Sequence, residues 1–158
     1  MTPEEMKQRT MNYALRIIQL VQALPPGRVG DVLGGQLLRS GTSVGANYRA
    51  ACRARSKAEF VSKLAIVEEE DDESLFWMEL IVAAKLMTRD RVQNLLAEGN
   101  EILSIVVASI TTARGRRQRT QEQSATGTAP APQAEALREI ARLLQSAMNP
   151  HSAIRNPQ

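Results

Sequence analysis

The sequence of 158 residues is poor in the residue types on which most enzymes and small secreted domains depend. It contains one cysteine, Cys52, and one histidine, His151, which excludes a disulfide framework, a Cys/His zinc site and most His-dependent catalytic triads. Aromatic residues make up only 3% of the chain, which argues against a small β-barrel or sandwich. No run of 18 uncharged apolar residues or signal peptide is present. We therefore expect a cytoplasmic, non-catalytic protein without cofactor or membrane association.

Apolar residues in the first 113 positions recur at spacings of three and four, the period of one helix face. Thr2 and Ser56 each open a capping box, the sequence signature of a helix start. Gly41 lies inside the second helix, where either a continuous helix or a kink is compatible with the sequence. The predicted helices cover residues 2–24, 31–55, 56–87 and 90–113. Their short connections predict an all-α fold, an antiparallel up-down-up-down four-helix bundle over residues 1–113.

The composition changes after Ala113. Residues 114–133 are basic and then polar, which predicts a flexible linker. Residues 134–148 return to the helical period and predict a short amphipathic helix. This helix either docks on a surface or remains marginal, because isolated helices of this length are barely stable. Residues 149–158 are predicted to be disordered. The bundle carries net charge −1 and residues 114–158 carry +4, so the basic character belongs to the C-terminal extension.

Two clusters of basic residues are candidate nucleic-acid contacts, because Lys and Arg bind phosphates and release counterions. The first, at the hairpin between helices 2 and 3, has the alternative of a solvated hairpin tip near a favourable helix dipole. The second, at the start of the extension, has the alternative of a solubilising linker. The hairpin cluster comprises Arg49, Arg53, Arg55, Lys57 and Lys63, and the extension cluster comprises Arg114, Arg116, Arg117 and Arg119.

An acidic run of six residues, 68–73, circles helix 3 more than once, so its members cannot all face water. The helix periodicity places Asp71 nearest the core, where a carboxylate needs a partner or a raised pKa. The antiparallel hairpin brings Arg39 opposite this region. Pairing with a neighbouring subunit or simple solvation are alternatives, and a di-metal site is disfavoured because residues 1–113 contain no histidine. The predicted polar network comprises Arg39, Asn47, Glu68, Asp71 and Asp72.

Two adjacent large apolar residues, Phe76 and Trp77, follow the acidic run. They cannot point in the same direction from one helix, so they indicate a second apolar face beside the core stripe. A monomeric bundle would leave this face in water, and the sequence therefore predicts a homo-oligomer with Phe76 and Trp77 at the interface.

Several of these motifs, between Arg39 and Leu80, resemble one known family. The chain is similar to the bacterial four-helix-bundle proteins related to those encoded in intervening sequences of 23S ribosomal RNA genes, over roughly residues 5–113. The same superfamily includes the accessory variability protein of diversity-generating retroelements. The resemblance rests on Arg39-Ser40, residues 43–47 (SVGAN), residues 53–60 (RARSKAEF), and the acidic run that ends in Phe76-Trp77.

The resemblance implies an antiparallel bundle that assembles as a ring-like homopentamer in relatives, with no enzymatic activity or cofactor. In the retroelement relative, a basic surface contacts RNA or DNA and a reverse transcriptase is a partner. This sequence departs from the family in two places. A carboxylate, Asp71, stands where the family has a small residue, and the extension after residue 114 exceeds the common length.

Two functions are compatible with these features. The first is a non-catalytic oligomeric bundle that binds nucleic acid, RNA rather than DNA, through the basic clusters. The second is a protein-interaction scaffold that uses the bundle surface and the C-terminal helix without nucleic acid.

Overall fold

A computed structural model describes residues 1–124, 138–143 and 145, with side chains described for residues 1–115, 138–143 and 145. All regular structure in these residues is helical, which confirms the predicted fold class. Consecutive helices pack along each other and the first also contacts the fourth, which closes an antiparallel four-helix bundle. The helices are α1 (Pro3–Gln22), α2 (Arg28–Ala51), α3 (Lys57–Ala83) and α4 (Arg89–Ser124).

The start of α1 follows the predicted capping box. The Glu5 backbone N–H donates to Oγ1 of Thr2, and the Thr2 backbone N–H donates to the Glu5 carboxylate, so both orphan donors are satisfied. The start of α3 is a variant of this arrangement. The Glu59 N–H donates to Oγ of Ser56, but the Glu59 carboxylate accepts from the backbone of Arg55 instead.

Gly41 does not break α2, which is continuous from Arg28 to Ala51. A Cβ atom at position 41 would lie 2.1 Å from Cδ1 of Ile17, so the glycine allows α1 and α2 to approach closely. Compared with the predicted range of 31–55, the observed helix begins and ends a few residues earlier in the chain. The hairpin of residues 52–56 is left outside the helices.

The fourth helix differs most from its prediction, because α4 does not end at Ala113 but continues to Ser124. The start of the predicted flexible linker is thus helical. The physical reason is that Arg, Gln and Glu, which dominate residues 114–123, have high helix propensity. The next strong breakers, Gly127 and Pro130, come only after the end of α4.

The core is formed by one apolar side of each helix and includes Tyr13, Leu37, Phe60 and Ile102. Residues 138–143 are helical, and the side chains of Ile140 and Leu143 are also buried in this cluster. The remaining parts of the predicted linker, of the predicted helix 134–148 and of the tail 149–158 lie outside the described residues.

Between Arg89 and Gly115, α4 is long and apolar enough to cross a membrane when it is judged by length and composition alone. A helix that packs one side in a bundle core has the same composition. The apolar residues Val92, Ile102 and Val106 are buried in this core, so the packing accounts for the apolar character of α4.

Candidate nucleic-acid interface

The bundle topology brings the two basic clusters to the same end of the molecule. In an antiparallel arrangement, the end of α2, the start of α3 and the late part of α4 lie together. The hairpin cluster contains exposed Arg49, Arg53 and Arg55 and half-buried Lys57 and Lys63. The sequence predicted that the extension cluster lies on a separate flexible segment. In the structure it lies on α4, at the same end of the bundle as the hairpin cluster.

The guanidinium groups of the hairpin cluster have no acidic partner among the residues whose side chains the structure describes. Among residues 1–115, no carboxylate lies within ion-pair distance of Arg49, Arg53 or Arg55. The nearest acid in sequence, Glu59, accepts a hydrogen bond from the Arg55 backbone at 2.9 Å. The Glu59 carboxylate is therefore held at the start of α3 and does not pair with the guanidinium groups of the cluster.

The extension cluster continues this basic end along α4. Arg114 is exposed, and residues 116, 117 and 119 occupy the following helical turns. The nine residues from 116 to 124 lengthen the helix by about 14 Å. The four basic positions are therefore carried on a helix, where the sequence predicted a flexible arm.

The acidic run has three different environments instead of one network. Arg39 on α2 pairs with Glu70 at 3.2 Å and with Glu73, one turn later on α3. These contacts lower the pKa of the Glu73 carboxyl, chiefly through the hydrogen bond from Arg39. Arg39 thus contacts the acidic run, as the hairpin geometry predicted. Its partners are Glu70 and Glu73. The predicted network members Glu68, Asp71 and Asp72 do not pair with it, because those side chains leave α3 in other directions.

A second part of the acidic run borders a groove between α3 and α4. The groove has a volume of about 610 Å³ and combines carboxylates with an apolar floor. Arg114 of the extension cluster also lines it, so one basic side chain borders an otherwise acidic surface. The lining residues on α3 are Ala65, Glu68, Glu69 and Asp72, and those on α4 are Leu103, Val107 and Arg114.

Asp71 is buried in the centre of the bundle, as its place on the helix predicted. Burial raises the pKa of its carboxyl to about 7, and the negative charges of Asp72 and Glu98 add to this rise. The hydroxyl of Tyr13 on α1 faces the Asp71 carboxyl, but the two groups do not form a hydrogen bond of standard geometry. We therefore expect Asp71 to be largely protonated below neutral pH.

Asn47 does not belong to a network with the acidic run, which corrects the prediction. Its amide nitrogen donates to the backbone carbonyl of Ser43 at 3.0 Å, within the same helix. An amide inside a helix commonly satisfies itself on the preceding turn, and nothing in a sequence distinguishes that bond from one between helices.

Phe76 and Trp77 form a partly exposed aromatic pair on α3. Phe76 is 53% exposed and Trp77 is half-buried, with ring centroids 4.9 Å apart in an edge-to-face arrangement. The indole N–H of Trp77 donates to Glu73 at 2.9 Å, the same carboxylate that pairs with Arg39. The indole of Trp77 is thus tied to the ion pair of Arg39 with Glu73.

Two interhelical contacts were not recognised in the sequence. Arg9 on α1 makes a bidentate contact with Glu98 on α4, at 2.6 and 3.0 Å, and also pairs with Glu101. The Ser74 hydroxyl on α3 donates to Ser40 on α2 at 3.0 Å inside the core. The partners are 89 and 34 residues apart, and only the packing of the helices brings them together.

Cys52 is half-buried at the end of α2, and burial raises the pKa of its thiol. The neutral thiol is a poor nucleophile and metal ligand. Among the residues with described side chains, no group of three or more His, Cys, Asp or Glu is arranged to hold a metal ion.

The fold and this basic end define a small all-helical bundle of four antiparallel helices with a cationic end. The family model of the 23S rRNA-intervening sequence proteins matches residues 4–108. The chain belongs to the 23S rRNA-intervening sequence protein family, and the resemblance seen in the sequence is confirmed.

A crystal structure of a protein of unknown function from the S23 ribosomal protein family of Bacteroides thetaiotaomicron has the same fold. The two chains are 34% identical with a TM-score of 0.63, over 66% of this chain and 97% of the other. A comparison with curated proteins finds no match. The family match ends at residue 108, so the basic part of α4 and the C-terminal segment lie beyond the matched region.

Proposed function

We propose that this protein is a non-catalytic, oligomeric helical bundle that binds nucleic acid through its basic end, with RNA preferred over DNA. The observation that carries the proposal is the convergence of two basic clusters at one end, with three exposed arginines that have no described acidic partner. Such groups bind phosphates without base specificity.

The aromatic residues favour phosphate contact over base stacking. Tyr48 is the aromatic residue of α2 nearest the hairpin cluster and is 1% exposed, so it presents no surface on which a base could stack. We therefore infer that the ligand is a structured, double-helical segment whose backbone is read by shape and charge. The family description, which refers to intervening sequences of 23S rRNA, favours RNA.

The test compares two double charge reversals with the same change of net charge. Arg53→Glu/Arg55→Glu alters the basic end, and Arg28→Glu/Arg91→Glu alters exposed arginines in the first turns of α2 and α4, at the opposite end. Binding of a labelled RNA hairpin and of a DNA duplex is measured by fluorescence anisotropy between 50 and 200 mM salt, a range suggested by the salt dependence of phosphate contacts.

We expect the wild type to bind RNA with a strong salt dependence, and the Arg53→Glu/Arg55→Glu variant to lose about two units of the slope of log K against log salt. The control pair should bind as the wild type does. Affinity that is independent of salt, or an equal loss in both variants, would contradict the proposal. Tighter binding of DNA would contradict the preference for RNA.

A protein-interaction scaffold is the second candidate, supported by the half-exposed Phe76 and by the burial of Ile140 and Leu143 from the C-terminal segment. In that case both charge-reversal variants would bind the protein partner as the wild type does, and this binding would depend on these apolar side chains.

A further inference from the structure

The C-terminal segment contributes two enclosed apolar side chains to the bundle. Leu143 is 0% exposed and Ile140 is 5% exposed, whereas Arg138 and Arg142 of the same helix are exposed. A single helix cannot enclose its own side chains, so another surface must cover these two. Both belong to the same hydrophobic cluster as the cores of the four helices, and the bundle therefore supplies that surface.

A surface of this kind exists on the late part of α4, which extends beyond the level at which α1 begins. The ion pair of Arg9 with Glu98 fixes the register of the two antiparallel helices, and it sets Pro3 level with about position 104 of α4. Ser109 follows Glu98 by three turns and lies on the same side of α4, beyond the start of α1. It is nevertheless only 1% exposed, so a part of the chain other than α1 covers it.

We propose that the bundle carries a helix-binding site on α4 around Ile105, Ser109 and Ala113, and that residues 138–143 occupy this site within the same chain. The partner that fits it is an amphipathic helix with two apolar residues three positions apart and arginines on its outer side. A second helix of this pattern occupies the site when the C-terminal segment leaves it.

The chemistry of the site suits an apolar helix face. Ala113 is buried, and Ile105 packs against the core cluster. The Ser109 hydroxyl donates to the carbonyl of Ile105 at 2.7 Å, so it has no hydrogen bond to lose when an apolar side chain covers it. The site thus combines small side chains, which allow close approach, with satisfied polar groups.

The docked segment is an addition to the bundle and not a part of its shared fold. The family match ends at residue 108, and the Bacteroides protein is covered over 97% of its length by 66% of this chain. A bundle of this family therefore forms without a counterpart of residues 138–143. It follows that the segment can leave its site while the four helices remain folded.

The experiment measures binding of a fluorescent peptide of residues 134–148 to the full-length protein. The wild type should bind it weakly, because the tethered segment has a high effective concentration and excludes the peptide. Leu143→Asp should release the segment and bind the peptide about a hundredfold more tightly. Ala141→Asp, at an exposed position of the same helix, is the matched control and should behave as the wild type.

Two further variants test the position of the site. In the Leu143→Asp background, Ser109→Arg should abolish peptide binding, and Ser104→Arg, at an exposed position of α4, should not. A peptide that itself carries Leu143→Asp should not bind. Thermal melting of each variant verifies that the bundle is folded, and Leu143→Ala replaces Leu143→Asp if the latter does not fold.

Equal binding of the peptide by the wild type and the Leu143 variant would overturn the proposal, whether both bind tightly or neither binds. Binding that survives Ser109→Arg would overturn the assignment of the site to α4. Because no nucleic acid is present in this experiment, its outcome is independent of the RNA-binding test.

Discussion

The hydroxyl of Tyr13 on α1 faces the carboxyl of Asp71 on α3 in the centre of the bundle, and neither group has a hydrogen-bond partner of standard geometry among residues 1–115. Gly99 on α4 makes this arrangement possible, because a Cβ atom there would lie 2.7 Å from the Tyr13 oxygen. Burial and the nearby carboxyl raise the pKa of Tyr13, so its hydroxyl stays neutral. The centre of the bundle therefore depends on the protonation of Asp71.

The first prediction concerns pH. Burial raises the pKa of Asp71 from an ordinary 3.8 to about 7. The folded protein retains a proton that the unfolded chain releases, so the contribution of Asp71 to stability is fully present below pH 4 and is lost as the pH rises to 7. By this linkage the free energy of unfolding falls by up to about 4 kcal/mol over that range.

Asp71→Asn should remove this pH dependence and make the protein more stable than the wild type at pH 8. Urea unfolding at pH 5 and pH 8, followed by the fluorescence of the single tryptophan, Trp77, measures the difference. Glu69→Gln, at an exposed position of the same helix, is the control. Identical pH profiles for the wild type and Asp71→Asn would show that this carboxyl is not protonated in the folded state.

The second prediction concerns Gly99. A methyl group there would meet the Tyr13 hydroxyl at 2.7 Å and Cδ2 of Leu75 at 2.8 Å, so Gly99→Ala should lower the free energy of unfolding by about 1–3 kcal/mol. Gly115→Ala, where no atom lies within 4 Å, should instead stabilise α4 by about 0.5–1 kcal/mol.

Denaturant unfolding of both alanine variants measures these changes. Addition of Tyr13→Phe, which removes the crowded oxygen, should recover part of the loss in Gly99→Ala. A loss that is unchanged by Tyr13→Phe would assign the crowding to Leu75 alone.

The third prediction concerns the clamp between α1 and α4. Arg9 is four-fifths buried and its bidentate contact holds the pKa of the Glu98 carboxyl below its usual value. Arg9→Met should therefore lower the free energy of unfolding at pH 7 by about 1–2 kcal/mol, because it leaves Glu98 without its partner. Lys7→Met, which breaks an exposed pair with Glu4, should change stability by less than about 0.5 kcal/mol.

The loss in Arg9→Met should shrink as the pH falls below the ordinary pKa of a glutamate, since protonated Glu98 no longer needs a cation. Thermal unfolding at pH 3.5 and pH 7 tests this dependence. A loss of the same size at both pH values would mean that Arg9 acts through the packing of its aliphatic stem.

The fourth prediction concerns assembly. If the aromatic pair mediates self-association, Phe76→Glu should shift the protein to a smaller species in size-exclusion chromatography with light scattering, with little change in the stability of the bundle. Leu15→Glu on α1, which is 50% exposed, is the matched control and should leave the assembly intact. A wild-type monomer, or a Phe76→Glu variant of unchanged mass, would exclude this surface as the interface.

Much of the fold follows from local sequence signals. The capping signals at Thr2 and Ser56, together with the spacing of apolar residues, predicted the four helices, because these features act within one or two turns. The end of α4 was missed because such local signals are absent there. Residues 114–124 have no apolar stripe, and their helix depends on propensity and on continuation from Ala113.

The site was predicted less completely than the fold. Periodicity placed Asp71 on the buried side of α3, and the hairpin geometry placed Arg39 opposite position 73, which it does contact. The partners of Arg9 and Asn47 could not be predicted. A sequence does not show whether a polar side chain bonds within its own helix, as Asn47 does, or across to another helix, as Arg9 does. The position of the basic extension beside Arg53 and Arg55 required the topology of the whole bundle.

By itself, the sequence determined that the first 113 residues form four helices, which side of each helix is apolar and which family the chain resembles. Propensity, capping and periodicity are properties of neighbouring residues. The tertiary structure decided that two basic clusters share one end, that a tyrosine meets a carboxyl in the core, and that Ile140 and Leu143 are enclosed. Those relationships join residues far apart in the chain, and they exist only because the packing of four apolar faces fixes the register of the helices.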